Sequence, residues 1–179
     1  MAKTEQLKII SGKYRGQTLK FPQSEKTHPM GAREKLALFN MVNVENAVVL
    51  DAFAGSGALG IEALSKGAEA VTFVENNTKA TAIIKENLAN LDLEAKVVKM
   101  RVGEFAKQAI ETRFNVIFAD PPYDKIERSE LVTLISLLSD DGVLALSSPK
   151  EQGILDLDGL RVSSVHTYAR AQITIYKRA

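Results

Sequence analysis

The sequence contains no cysteine among its 179 residues, which excludes disulfides, thiolate metal sites and cysteine nucleophiles. Histidine is nearly as scarce. Only His28 and His166 occur, so a histidine-rich metal centre is not expected. His28 lies beside Pro29 and reads as a loop residue, while His166 reads as part of an edge hairpin; neither is expected to be catalytic. No apolar run approaches the roughly 18 residues that a membrane-spanning helix needs. The first residues are interrupted by Lys3, Glu5, Gln6 and Lys8 and lack the charged-then-apolar layout of a signal peptide. Cytoplasm is the expected location, with no membrane or metal partner. Internal repeats, low-complexity tracts and Ser/Gly-rich linkers are missing too. The length suits one ordinary domain, with a monomer as the default state.

What is present is the composition of a soluble globular chain, 45% hydrophobic and 25% charged. The net charge of +1 is unevenly spread. Residues 1–40 hold eight Lys/Arg against three acids, a net +5, which leaves −4 for residues 41–179. This asymmetry predicts a basic N-terminal extension over 1–40 attached to a near-neutral domain over 41–179. Clustered Lys and Arg are a footprint of phosphate contact, and a solvated extension would look the same. Lys13, Arg15 and Lys20 interleave with Tyr14 and Phe21, which places phosphate charges beside stacking surfaces. The aromatics serve equally to pack the extension onto the body.

Beyond the extension, short β-like runs alternate with helical ones. Ala47–Leu50 is apolar and β-branched, and a glycine-rich turn leads from it into a helical Ala58–Lys66. Further strands are expected at Ala70–Val74, Ala95–Lys99, Asn115–Ala119 and Val143–Ser147, with helices at Thr78–Leu91, Glu104–Glu111 and Arg128–Leu138. Such alternation implies βαβ units and a parallel sheet covered on both faces. Leu160–Val165 and Gln172–Tyr176 follow one another without a helix and predict an antiparallel hairpin at the sheet edge. The fold class expected is α/β: a Rossmann-like, mainly parallel seven-stranded sheet closed by a C-terminal hairpin. Ligands of such sheets bind beyond the carboxyl ends of the strands, near the switch point.

Two motifs fall at such ends. Asp51-Ala52-Phe53-Ala54-Gly55-Ser56-Gly57-Ala58-Leu59-Gly60 satisfies G-x-G-x-x-G after the first strand, and Glu75 ends the next strand, followed by Asn76. Glycines let the backbone approach a ligand and the acid can grip ribose hydroxyls, so the loop alone serves a dinucleotide as well as S-adenosylmethionine. Asp51 favours the latter: a carboxylate facing the ligand suits an ammonium and a sulfonium but repels a pyrophosphate. Asp51, Gly55, Gly57 and Glu75 are the cofactor residues to which these features point. The adenine is expected near Arg101-Val102-Gly103, read by the backbone N–H of Val102 unless Glu104 supplies a carboxylate.

The second motif is Asp120-Pro121-Pro122-Tyr123, running straight out of the fourth strand. Consecutive prolines fix φ and donate no hydrogen bonds, so the chain leaves the sheet in a rigid shape with its carbonyls available. An exocyclic amino nitrogen of a base is a poor nucleophile because its lone pair is delocalised into the ring. Acceptors from Asp120 and the Pro121 carbonyl can hold both of its N–H groups, and Tyr123 can stack on the flat base. Alignment and electrostatics then supply the acceleration without a metal or a nucleophilic side chain. A Pro-Pro turn with Asp as a plain turn residue is the bland alternative, and the pairing with the Asp51 loop speaks against it.

Together these segments resemble the bacterial 16S ribosomal RNA guanine-N2 methyltransferases of the RsmD type over nearly the whole chain. The resemblance is carried by Ile9 through Leu19, by Pro29 through Lys35 with Leu38-Phe39-Asn40, by Asp51–Ala63 and by Asp120–Tyr123. It implies a class I methyltransferase domain that uses S-adenosylmethionine to modify a guanine in 16S rRNA, free or in a 30S assembly intermediate. By the same resemblance Phe53 and Asn76 would join Asp51, Gly55, Gly57 and Glu75 around the cofactor; Asp120, Pro121, Pro122 and Tyr123 would meet the guanine, and Lys13, Arg15, Arg33 and Lys35 would contact RNA. The chain departs from the family pattern at Gly31 and Ala32 (threonine and aspartate), at Lys35 (arginine) and at Arg101 (aspartate), which bears on the target-site and adenine contacts. Related tetrapeptides also occur in DNA adenine-N6 and protein glutamine methyltransferases, and a non-catalytic RNA-binding protein could keep the fold.

Overall fold

The computed structural model describes residues 7–22, 30–122, 128–168 and 171–179. In chain order the elements are β1 (Leu7–Lys8), β2 (Thr18–Leu19), α1 (Ala32–Met41), β3 (Val48–Ala52), α2 (Ala58–Ser65), β4 (Ala70–Glu75), α3 (Thr78–Asn90), β5 (Lys96–Lys99), α4 (Val102–Gln108), β6 (Phe114–Ala119), α5 (Arg128–Ile135), β7 (Leu138–Pro149), a 3-10 turn at Lys150–Gln152, β8 (Leu160–Thr167) and β9 (Ala171–Arg178). Seven strands form one sheet in the order β5-β4-β3-β6-β7-β9-β8, with only β9 antiparallel to its neighbours. The Rossmann-like expectation holds, hairpin included.

The alternation of the strands sorts their side chains into two layers. Val49, Phe73, Val116 and Phe118 face one core with α1, α2 and α3, whereas Leu50, Val74, Ile117 and Leu144 face a second with α4 and α5. Burial on both faces is what a parallel sheet requires. β7 begins earlier than expected: Phe114 pairs with Leu138, and the register then jumps so that Val116 pairs with Val143. The turn-like Asp140-Asp141-Gly142 is thus an irregularity inside one strand, and α5 stops at Ile135.

The helix α2 is apolar almost all round and buries seven of its eight residues. Such a helix needs cover on its outer side. The N-terminal segment and α1 supply it: Leu7, Ile9, Leu19, Leu38 and Phe39 join the same core, and Tyr14 and Phe21 pack against it. One residue of α2 is a fully buried acid, Glu62. Its carboxylate accepts from the N–H of Ile10 at 3.0 Å, from the N–H and hydroxyl of Ser11 at 2.8 Å each, and from Lys35 Nζ at 3.2 Å. Lys35 also donates to the Lys8 carbonyl at 2.7 Å and is only 1% exposed.

Lys35 therefore corrects an expectation. It lies inside the protein as the counter-ion of Glu62 and does not reach RNA. Removing one partner of a buried pair leaves the other charge and several donors uncompensated, which costs about 3–5 kcal/mol. Glu62→Ala is expected to lower the unfolding free energy by about that much in urea titration. Leu36→Ala, at an exposed position of α1, should stay within about 0.5 kcal/mol.

Candidate active site

Sheet order reverses between β3 and β6, and the carboxyl ends of β4, β3 and β6 meet there. Asp51 pairs in register with Phe73 on one side and Phe118 on the other. Glu75 and Asp120 each follow two residues later, so three acids crown three adjacent strands. Neighbouring strands are about 4.8 Å apart, which makes the three mutually repulsive. The salt bridges among the described residues, Lys20–Glu86 and Lys35–Glu62, leave these acids without a cationic partner.

Asp51 is buried, and its Oδ2 accepts from the Gly60 N–H at 2.8 Å. Burial pushes its carboxyl up to about 8; the Gly60 bond opposes this, and the charges of Asp120 and Glu75 add to it. Asp120 is half-buried at the exit of β6. Desolvation raises its carboxyl above the usual range, opposed by the Ser147 hydroxyl on β7. Pro121 is buried and Pro122 exposed. Tyr123, with His28 and Pro29, lies outside the described residues.

The glycine loop is held from the β4 side. The N–H groups of Phe53 and Ala54 both donate to the Val74 carbonyl, at 3.2 and 3.0 Å. Phe53 sits at φ 90°, a strained region for a bulky side chain, costing of order 1–3 kcal/mol that these bonds help to offset. Gly55 donates to Glu75 Oε2 at 2.9 Å and has φ 54°, with no atom within 4 Å of the place a Cβ would take. That side of the loop is open for a ligand's close approach. Gly57 caps α2, and Gly60 lets the helix sit against the sheet, since a Cβ there would lie 2.2 Å from the Phe73 ring. Glu75 Oε1 takes the Asn77 N–H at 2.7 Å, while Asn76 is exposed between β4 and α3. Val102 is the first residue of α4, where the N–H has no intrahelical acceptor, and Glu104 is exposed in the same turn.

The basic residues are less united. Arg33 is exposed on the first turn of α1. Lys13 and Arg15 are exposed as well, but the Lys13 N–H donates to the Ser65 carbonyl at the far end of α2, about 12 Å of helix away from the glycine loop. Two site-supporting residues escaped the sequence reading. Glu62 holds the N-terminal segment, and Asn87 links that segment to the loop, its amide bonding both Lys20 backbone groups at 2.8 Å and the Ser56 carbonyl at 3.1 Å. A lone acid within an apolar helix, and an Asn on the buried stripe of α3, were the available signals. Among the described residues no group of three or more acids or histidines is arranged to hold a metal ion, and no helix is long and apolar enough to cross a membrane.

A family profile described as Conserved hypothetical protein 95 matches residues 7–177. The chain belongs to this family, the RsmD-type methyltransferases. Ribosomal RNA small subunit methyltransferase D of Escherichia coli K12 is 39% identical over 143 residues, spanning 78% of this chain and 70% of that one. YlbH of Bacillus subtilis 168, provisionally named an rRNA methyltransferase, is 35% identical over 182 residues, 96% of this chain and 99% of that one. The solved structure of YhhF from Escherichia coli, provisionally named a methyltransferase, superposes with a TM-score of 0.88 at 30% identity, over 97% of this chain and 98% of that one. The RsmD-type resemblance read from the motifs is borne out, and the protein is a methyltransferase.

The Asp51 carboxyl has a measurable consequence. Between its ordinary value of 3.8 and about 8 it keeps its proton in the folded chain and has lost it in the unfolded one. The stability it contributes is full below about pH 4 and is lost as pH rises through about 8. Asp51→Asn removes this slope, so its stability relative to the wild type should climb between about pH 5 and about pH 8.5 in paired urea titrations. A pH-independent difference would place the carboxyl in its ordinary range.

Proposed function

We propose that this methyltransferase uses S-adenosylmethionine to methylate the exocyclic N2 amino group of a guanine in 16S ribosomal RNA. The observation that carries the reading is the uncompensated set of Asp51, Glu75 and Asp120 around an open glycine turn, joined to a Pro-Pro exit from β6. This donor set fits a ligand with a cationic end and ribose hydroxyls and would repel a pyrophosphate. The name of the Escherichia coli relative supports ribosomal RNA of the small subunit as the substrate.

When bound, S-adenosylmethionine supplies an activated methyl group on a positively charged sulfur. Asp51 has one oxygen committed to Gly60 and offers the other to the ammonium, exchanging its proton for a cationic partner. Glu75, fixed by the Gly55 and Asn77 N–H groups, keeps lone pairs for ribose hydroxyls. Phe53, Gly55, Gly57 and Asn76 shape the cradle, and the Val102 N–H reads the adenine. Asp120 and the Pro121 carbonyl accept the two N–H groups of the guanine amine, and the proton that leaves nitrogen is taken at an Asp120 carboxylate oxygen. Pro122 stiffens the exit, and Tyr123 stacks on the base. Desolvation improves Asp120 as a proton acceptor, because a raised carboxyl is a stronger base.

Residues 1–40 carry RNA contacts and residues 41–179 the transfer chemistry, a division of labour within one shared core. Arg33 contacts phosphate near the target, while Lys13 and Arg15 reach RNA farther away. The enzyme acts as a monomer in the cytoplasm on 16S rRNA, either free or within a 30S assembly intermediate.

Labelled S-adenosylmethionine should transfer methyl to 30S particles or protein-free 16S rRNA, with N2-methylguanosine identified by mass. Transfer only to plasmid DNA or to a release factor overturns this reading. Asp120→Ala should lower turnover by roughly 100-fold or more while cofactor Kd stays within about twofold. The wild-type rate should fall on acidification at a pH above the usual carboxylate range, as the raised Asp120 gains its proton. Arg33→Ala should weaken RNA binding across sequences and reduce its salt slope by about one.

A further inference from the structure

We propose that the carboxyl end of β8 carries a second RNA contact: His166, backed by Tyr168, forms a platform on which a nucleotide neighbouring the target base stacks. This inference rests on the ribosomal RNA reading above and adds a site to it. Position is the first argument. Ala171, at the start of β9, pairs with Pro149 at the carboxyl end of β7, and Thr167 pairs with Gln172, so the carboxyl end of β8 lies at the same end of the sheet as Asp120. In the order β6-β7-β9-β8 it is three strand spacings from β6, about 14 Å. That distance suits a flanking nucleotide and excludes the target base itself.

Construction is the second argument. Ser164, His166 and Tyr168 alternate onto one face, the face covered by α1: Ser164 Oγ lies 3.6 Å from Met41 Sδ, and the Tyr168 hydroxyl lies 3.5 Å from the Glu34 carbonyl. Tyr168 also packs against the core shared by α1 and the N-terminal segment, and its N–H donates to the Ala171 carbonyl at 2.7 Å. It is thus fixed from several sides. His166 lies on it at 4.8 Å between ring centroids, tilted by 50°, and is itself exposed. Arg33, one residue before Glu34, is exposed on the first turn of the same helix.

Chemistry is the third. A pre-positioned aromatic ring open to solvent matches the flat face of an unstacked base. Addition of a protein strand fits this edge poorly, because the β8 register shifts between Val162 and Ser164 and the pairing pattern breaks there.

The test uses the full-length protein with 30S particles and protein-free 16S rRNA. His166→Ala should raise the KM for the better RNA substrate by about 5- to 100-fold, the range of losing one stacked base. His166→Phe, which keeps a stacking ring, should restore most of that loss, and cofactor Kd should stay within about twofold in both variants. His166 is exposed, so these variants are not expected to disturb folding; thermal unfolding checks this directly. Wild-type transfer to RNA with an unchanged KM in His166→Ala overturns the platform alone. Failure of the wild type to methylate either RNA overturns the parent reading and the platform with it.

Discussion

A single buried carboxylate organises the half of this protein that faces α2. Glu62 lies in a helix that is mostly apolar and almost wholly buried, where an unpaired charge would cost several kcal/mol. Its compensation comes from two backbone N–H groups, a hydroxyl and the Lys35 ammonium, all from residues 10–35. The N-terminal segment is thereby fixed across α2, and through Asn87 it is tied to Ser56 in the glycine loop. The loop geometry that faces the cofactor depends on this cover as well as on the sheet beneath it.

The other organising constraint is electrostatic and points outward. Asp51, Glu75 and Asp120 crowd the ends of three adjacent strands with backbone and hydroxyl donors but no cation among the described residues. Such a site is at odds with itself until something positive enters. Burial raises the Asp51 and Asp120 carboxyls, and at Asp51 the charges of Asp120 and Glu75 add to it. Binding and acid–base behaviour at this end of the sheet are therefore linked.

Much of this was legible in the sequence because the signals were local. The glycine loop, the acid ending the next strand and the Asp-Pro-Pro exit each combine a strand end with turn chemistry, and the fold places all of them at the switch point. Strand and helix periodicity recovered the sheet, hairpin included. What failed was non-local. Lys35 sits between charged Glu34 and an exposed Leu36, so charge pattern alone reads it as a solvated basic position. Its burial is decided by Glu62, 27 residues away. The helix α1 was missed because nothing local announces its start: its cap is Gly31, with no side-chain bond. Lys13 and Arg15 are basic as expected, but only the path of the chain over α2 places them at the far end of that helix from the glycine loop.

The long reach of the N-terminal contacts bears on how the chain is made. Ile10, Ser11, Tyr14 and Lys20 find their partners 51 to 67 residues later, on α2 and α3. Synthesis runs from the N-terminus, so these first residues leave the ribosome well before anything exists for them to cover. They stay unpaired until α3 has emerged, and loop closure over that separation makes their docking slow relative to local helix formation. A segment synthesised ahead of its partners is thus among the last to find its place, and it completes the scaffold on which the cofactor loop rests.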